Sequence, residues 1–158
     1  MKKYVLLLMT LLVLAACSSK EEKGPMFSEK QAVPFEIVKY EEKIAPIYES
    51  LVPHIAYAKT EGQLEELKAR FQVDGFDIDL EKYMAAFVVT YSDSCGIAVD
   101  GVYDYQNYLA VQLFDIGGDK CDDEGVPHTF VLQVDQKEYE KVQLYNGNII
   151  KSSTEVEK

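Results

Sequence analysis

The side chains of this sequence best equipped for chemistry are Cys95, Cys121 and His128. Two cysteines and a histidine admit three readings. The thiols can close a disulfide. They can bind zinc together with His128 and one of Asp119, Asp122 or Asp123. Or Cys95, in the string Ser92-Asp93-Ser94-Cys95-Gly96, can act as a nucleophile with His128 as its base. Spacing argues against zinc, because zinc ligands commonly come in pairs about two to four residues apart, and no two of Cys95, Cys121 and His128 are that close. Charge argues against the nucleophile: a reactive thiol needs a depressed pKa, and the neighbouring carboxylates raise it. His54 and His128 each follow a proline, and no serine–histidine–aspartate set is there to recruit them. The sequence therefore assigns no catalytic residue and no metal ligand.

Acidic residues bring calcium into consideration. Asp74-Gly75-Phe76-Asp77-Ile78-Asp79-Leu80-Glu81 resembles an EF-hand loop in its glycine and closing glutamate, but that register sets Arg70 and Gln72 where carboxylates are needed. The simpler expectation is that Asp77 or Asp79 caps a short turn ending at Tyr83. Asp115, Asp119, Asp122, Asp123 and Glu124 gather around Gly117-Gly118, a loop fit either to hold a cation or to stay solvated. Tyrosine is abundant, at 11 residues. Tyr103, Tyr105 and Tyr108 crowd one turn beside Gln106 and Asn107, which makes them the best candidate contact surface in the chain.

Composition bounds the scaffold that must position these groups. A chain of 158 residues, 47% hydrophobic, suits one compact domain and is too apolar for a disordered acidic tail. With 27 acidic against 16 basic side chains and a net charge of −11, a nucleic-acid partner is excluded, since phosphate binding needs clustered Lys and Arg.

Strand patterns dominate from Pro34 onward, with strands expected over Phe35 to Tyr40 and Ile55 to Lys59. Ala45-Pro46 and Val52-Pro53 bracket room for one or two helical turns. Thr60-Glu61-Gly62-Gln63 reads as a capping box, Leu64, Leu67 and Phe71 follow at helical spacing, and Asp74-Gly75 stops the helix. Met84 to Tyr91 is apolar enough to be a central strand buried on both faces. Strands follow over Gly96 to Tyr103, with a bulge or turn at Gly101, then Tyr108 to Asp115 and Thr129 to Asp135. Asp135-Gln136-Lys137-Glu138 suggests one more helical turn, and Asn146-Gly147 a hairpin between Val142 to Tyr145 and Asn148 to Lys151. The expected fold class is α+β: a meandering antiparallel β-sheet with one principal helix packed on one face, spanning residues 34–152 ahead of a polar tail at 153–158.

The N-terminus carries a different kind of information. Met1-Lys2-Lys3 precedes an apolar run from Tyr4 to Leu14, the layout of a secretory signal and, at about 16 Å as a helix, too short for a roughly 30 Å bilayer core. Leu14-Ala15-Ala16-Cys17 resembles the lipobox of bacterial lipoproteins. That resemblance implies cleavage after Ala16, a covalent diacylglycerol on Cys17 with no other cofactor, and a chain anchored to the cell membrane on its extracytoplasmic side. Residues 1–16 are then a signal peptide, and 17–33 a lipidated N-terminus and flexible tether whose Met26 and Phe27 could dock on the domain. Loss of Lys2 and Lys3 makes the mature chain still more acidic, so its domain is expected to stand off from anionic headgroups. With Cys17 taken by lipid, Cys95 and Cys121 remain in a compartment that permits disulfides. A meander of the strands starting at Met84, Gly96 and Tyr108 brings both to one end of the sheet, so a disulfide is expected, worth about 3–4 kcal/mol in the chain-entropy model.

Residues from Thr60 to Tyr145 are similar to the lipoprotein subunits that stabilise surface protease complexes. The similarity lies in a helix, then Asp77-Ile78-Asp79-Leu80-Glu81-Lys82, then an apolar strand and a glycine-led strand. That family carries a glycine-glycine-tyrosine step where this chain has Ser94-Cys95-Gly96. The expectation is a non-enzymatic lipoprotein that binds or stabilises an envelope or surface protein. The alternatives are a thiol- or metal-dependent envelope enzyme using Cys95, Cys121 and His128, and a calcium-dependent surface binder.

Overall fold

The computed structural model describes residues 27–42, 52–123 and 125–156. The lipobox, most of the tether, most of the Pro46 to Pro53 segment and Glu124 lie outside the described residues. The described elements are a 3₁₀ turn Glu29–Gln31, then β1 Phe35–Glu42, β2 His54–Ala58, α1 Glu61–Phe71, β3 Tyr83–Ser92, β4 Ile97–Tyr105, β5 Tyr108–Asp115, β6 Val126–Asp135, β7 Lys141–Asn146 and β8 Ile149–Glu155. The fold is α+β. Its strands form two sheets, sheet I in the order β1-β6-β3-β2 and sheet II in the order β4-β5-β7-β8.

Alternation of side chains builds the layers. Met84, Ala86 and Val88 of β3 face the space between the sheets, where they meet Leu109, Val111 and Leu113 of β5, Leu132 of β6 and Leu144 of β7. Ala85, Phe87 and Val89 point the other way, onto Leu64, Leu67 and Phe71 of α1. The molecule is thus helix on sheet on sheet. Thr60 caps α1 by accepting the Gln63 N–H at 3.3 Å, while Gln63 Oε1 accepts from the Lys59 N–H at 2.9 Å, one residue before the position a capping box requires. The helix ends at Gln72, left-handed at φ 51°, ahead of Asp74-Gly75.

The meander is the main correction. β3 and β4 are not neighbours: β2 and β6 take both edges of β3, and the chain crosses to sheet II through residues 93–96. The pairing is not wholly antiparallel either, because β5 and β7 run parallel after the chain has returned to sheet I for β6. A strand buried on both faces must lie between the helix and the second sheet, but its sequence does not say which strands flank it.

Smaller corrections have local causes. No helical turn forms at Asp135-Gln136-Lys137-Glu138; Gln136 instead spends its backbone N–H on Lys82 O at 2.8 Å and its side-chain amide on Leu80 O at 3.2 Å. The final hairpin turns one residue later than Asn146-Gly147. Asn146 pairs with Ile149 and donates its side-chain amide to Asp115, leaving Gly147, at φ 56°, and Asn148 in the turn. β8 runs on to Glu155 and Val156 is buried, so the polar tail expected from 153 belongs mostly to the domain.

Both lateral seams of the sandwich carry stitches. At one, Ser152 Oγ accepts from the Ile55 N–H at 3.2 Å and Thr154 donates to Ile55 O at 2.6 Å, joining β8 to β2. At the other, Ala32 bridges Tyr103 and the Val33 N–H reaches Val102 O at 2.8 Å, just before the chain becomes β1 of sheet I. Among the described residues no helix is long and apolar enough to cross a membrane.

Candidate functional site

Cys95 and Cys121 lie in the two crossings between sheets, residues 93–96 outward from β3 to β4 and 116–125 back from β5 to β6. Backbone geometry brings the crossings together. Asp93 Oδ1 accepts the Cys95 N–H at 2.9 Å, and Gly96 adopts φ 95°, which turns the chain sharply into β4. Ser94 N donates to Asp122 O at 3.0 Å, and Asp122 N returns a bond to Ser94 Oγ at 2.7 Å. The cysteines form a disulfide, with Cα atoms 5.3 Å apart. The pairing is the expected one, reached by a different route: the cysteines meet because both crossings leave the same end of the sandwich, not because β3, β4 and β5 are adjacent.

His128, only 3% exposed, sits on β6 beside this staple. Its Nδ1 lies 2.9 Å from the Tyr40 hydroxyl and its Nε2 2.8 Å from Ser92 Oγ, which donates its own proton to Asp93 O at 2.7 Å. With the Ser92 proton on a backbone carbonyl, Ser92 accepts from Nε2–H, and in the neutral ring Nδ1 then accepts from the Tyr40 hydroxyl. In that tautomer the ring proton is aimed at the serine, the reverse of a general base facing a nucleophile. Burial pushes the His128 pKa down, against an opposing pull from the Glu42 carboxylate. A cleft of about 360 Å³, lined by Tyr40, Glu42, Asp93, Cys95, Ile116 and His128 among others, opens at this end.

The other expected residues fall elsewhere. His54, at the start of β2, stacks on Phe71 and has Arg70 3.4 Å from Nε2; burial and then the guanidinium push its pKa down. Asp79 caps its turn through the Glu81 N–H at 3.2 Å. Among the described residues, the one group of three potential ligand atoms within 4.8 Å of one another is Asp93, Cys95 and Cys121, whose sulfurs are already bonded to each other. Asp115, Asp119, Asp122 and Asp123 form no such group among themselves, and Asp115 is engaged with Asn146.

No family model, curated protein or solved structure matches this chain. The site must be read from its own geometry.

Tyr103, Tyr105 and Tyr108 share the outer face of sheet II with Tyr145, and that face is partly occupied. The ring of Phe27 stacks on Tyr103 at 4.8 Å and 10°, and meets Tyr105 and Tyr145 edge-on at 5.9 and 5.0 Å. Phe27 therefore docks on the domain. Lys141 places its ammonium 5.7 Å over Tyr108, and Gln106 and Asn107 take φ of 50° and 69° in the hairpin between β4 and β5. Tyr145 had no signal of its own, because its face is set by the parallel pairing of β7 with β5. Tyr40 and Ser92 were equally hidden, standing 88 and 36 residues from His128.

Proposed function

We propose that this chain is a lipoprotein held outside the cytoplasmic membrane by diacylglycerol on Cys17, and that its domain binds or stabilises an envelope protein without catalysing a reaction. The observation that carries the non-enzymatic part is the commitment of its reactive groups to one another. Cys95 is bonded to Cys121, His128 spends both ring nitrogens on Tyr40 and Ser92, and Ser92 spends its proton on Asp93 O. The anchoring part rests on the charged start, the short apolar run and Leu14-Ala15-Ala16-Cys17. Membrane fractionation tests the reading. The wild-type chain is expected in the membrane fraction, extractable by mild detergent as a complex of fixed stoichiometry with an envelope protein, and Cys17→Ala is expected to be released. A monomeric chain that turns over a small substrate, and loses that activity in His128→Ala, overturns it.

A further inference from the structure

We infer that residues 27–33 are a strap fixing the tether across the outer face of sheet II, so that the anchored domain turns sheet II toward the membrane and α1 away from it. The inference rests on the proposed lipid at Cys17. A flexible tether running to residue 33 would leave the domain free to tumble. The structure instead attaches it at several points. Phe27 lies among three tyrosines, one of them, Tyr145, only 2% exposed on what is otherwise the outside of the molecule. Ser28 and Gln31 close a small turn: the Ser28 N–H and hydroxyl both donate to Gln31 Oε1, at 3.0 and 2.9 Å, and the Gln31 N–H donates to Ser28 O at 2.9 Å. Ala32 and Val33 then bond to the edge of β4, and Val33 packs against the core between the sheets.

Attachment at Phe27 shortens the link. Ten links separate it from Cys17, a reach of at most about 35 Å, against about 56 Å for the sixteen links to residue 33. The exit point also chooses a side. Phe27 is on the face of sheet II, and α1 is beyond sheet I on the opposite face, two layers of about 10 Å farther from the anchor.

Energy transfer in vesicles tests this with the full lipidated chain. A single donor dye goes on Ser153→Cys, exposed on the sheet II face, or on Glu66→Cys, exposed on α1. The chain is added to preformed phosphatidylcholine–phosphatidylglycerol vesicles whose headgroups carry an acceptor. Transfer from Ser153 is expected to exceed that from Glu66 by about twofold, given the two intervening layers. Phe27→Ala, checked for folding by its melting curve, is expected to erase most of the difference. A flexible Gly-Ser spacer of about ten residues after Lys23, which leaves the strap untouched, is expected to lower both signals and shrink the difference. Equal transfer from the two positions in the vesicle-bound wild type overturns the strap while leaving the anchor standing. A chain that does not sediment with vesicles defeats the lipoprotein reading itself, and the orientation with it.

Discussion

The two outer faces of the sandwich are covered by different means. Over sheet I lies α1, a capped helix that buries Leu64, Leu67 and Phe71 onto Ala85, Phe87 and Val89 in a second continuous core. Over sheet II lies a strap in which one ring, Phe27, meets Tyr103, Tyr105 and Tyr145. A helix satisfies its own backbone and brings many apolar contacts at once. A strap depends on a few side chains and on hydrogen bonds borrowed from a strand edge, so it can detach at far smaller cost. The first face is architecture, the second an attachment.

Substitutions can break or sharpen that contrast. Phe71→Ala should be the most damaging, because the ring is fully buried against Phe87 and beneath His54; about 3–5 kcal/mol of unfolding free energy is expected by urea titration. The double variant Cys95→Ser, Cys121→Ser follows, at about 3–4 kcal/mol, since it frees the two crossings on which both sheets depend. Phe27→Ala should cost only about 1–2 kcal/mol, the scale of its ring contacts at a partly exposed site. A loss as large as that of Phe71→Ala would make the strap part of the core and end the distinction.

The same contrast explains what could be read in the sequence. α1 was legible because its signals are local: Thr60 caps, Gln63 supports, and Leu64, Leu67 and Phe71 recur on one face. Strands were legible individually, from the alternation in Tyr108 to Asp115 and the unbroken apolar run of β3, but their partners were not. Gly96 announces a turn equally well whether the next strand stays in its sheet or crosses to another. The cysteines meet under either arrangement because the crossings share an end. Phe27 carried the weakest signal of all, an aromatic residue in a charged stretch with no periodicity, whose role rests on Tyr145 over one hundred positions away.

Acid should probe both ends of the comparison, with the smallest effect. His54 rests on the helix layer and His128 beside the disulfide, and both have pKa values pushed below the ordinary imidazole range, chiefly by burial. The folded state therefore binds fewer protons than the unfolded chain near that range. Stability is complete above an unfolded pKa of about 6.5 and falls as pH drops below it, by less than about 1.4 kcal/mol per pH unit from each group. Denaturant midpoints measured between pH 7.5 and 5 should fall accordingly, and His54→Gln and His128→Gln should each flatten the slope. A slope unchanged in both variants would assign the acid sensitivity to other groups.

The most direct test of a lipid-tethered domain with no free thiol is the intact mass of the protein isolated from membranes. The expected mass is that of a chain beginning at Cys17, carrying a diacylglyceryl group, and gaining two hydrogens on reduction as the Cys95–Cys121 bond opens. An unlipidated chain, or one whose mass is the same before and after reduction with both thiols free, would contradict it.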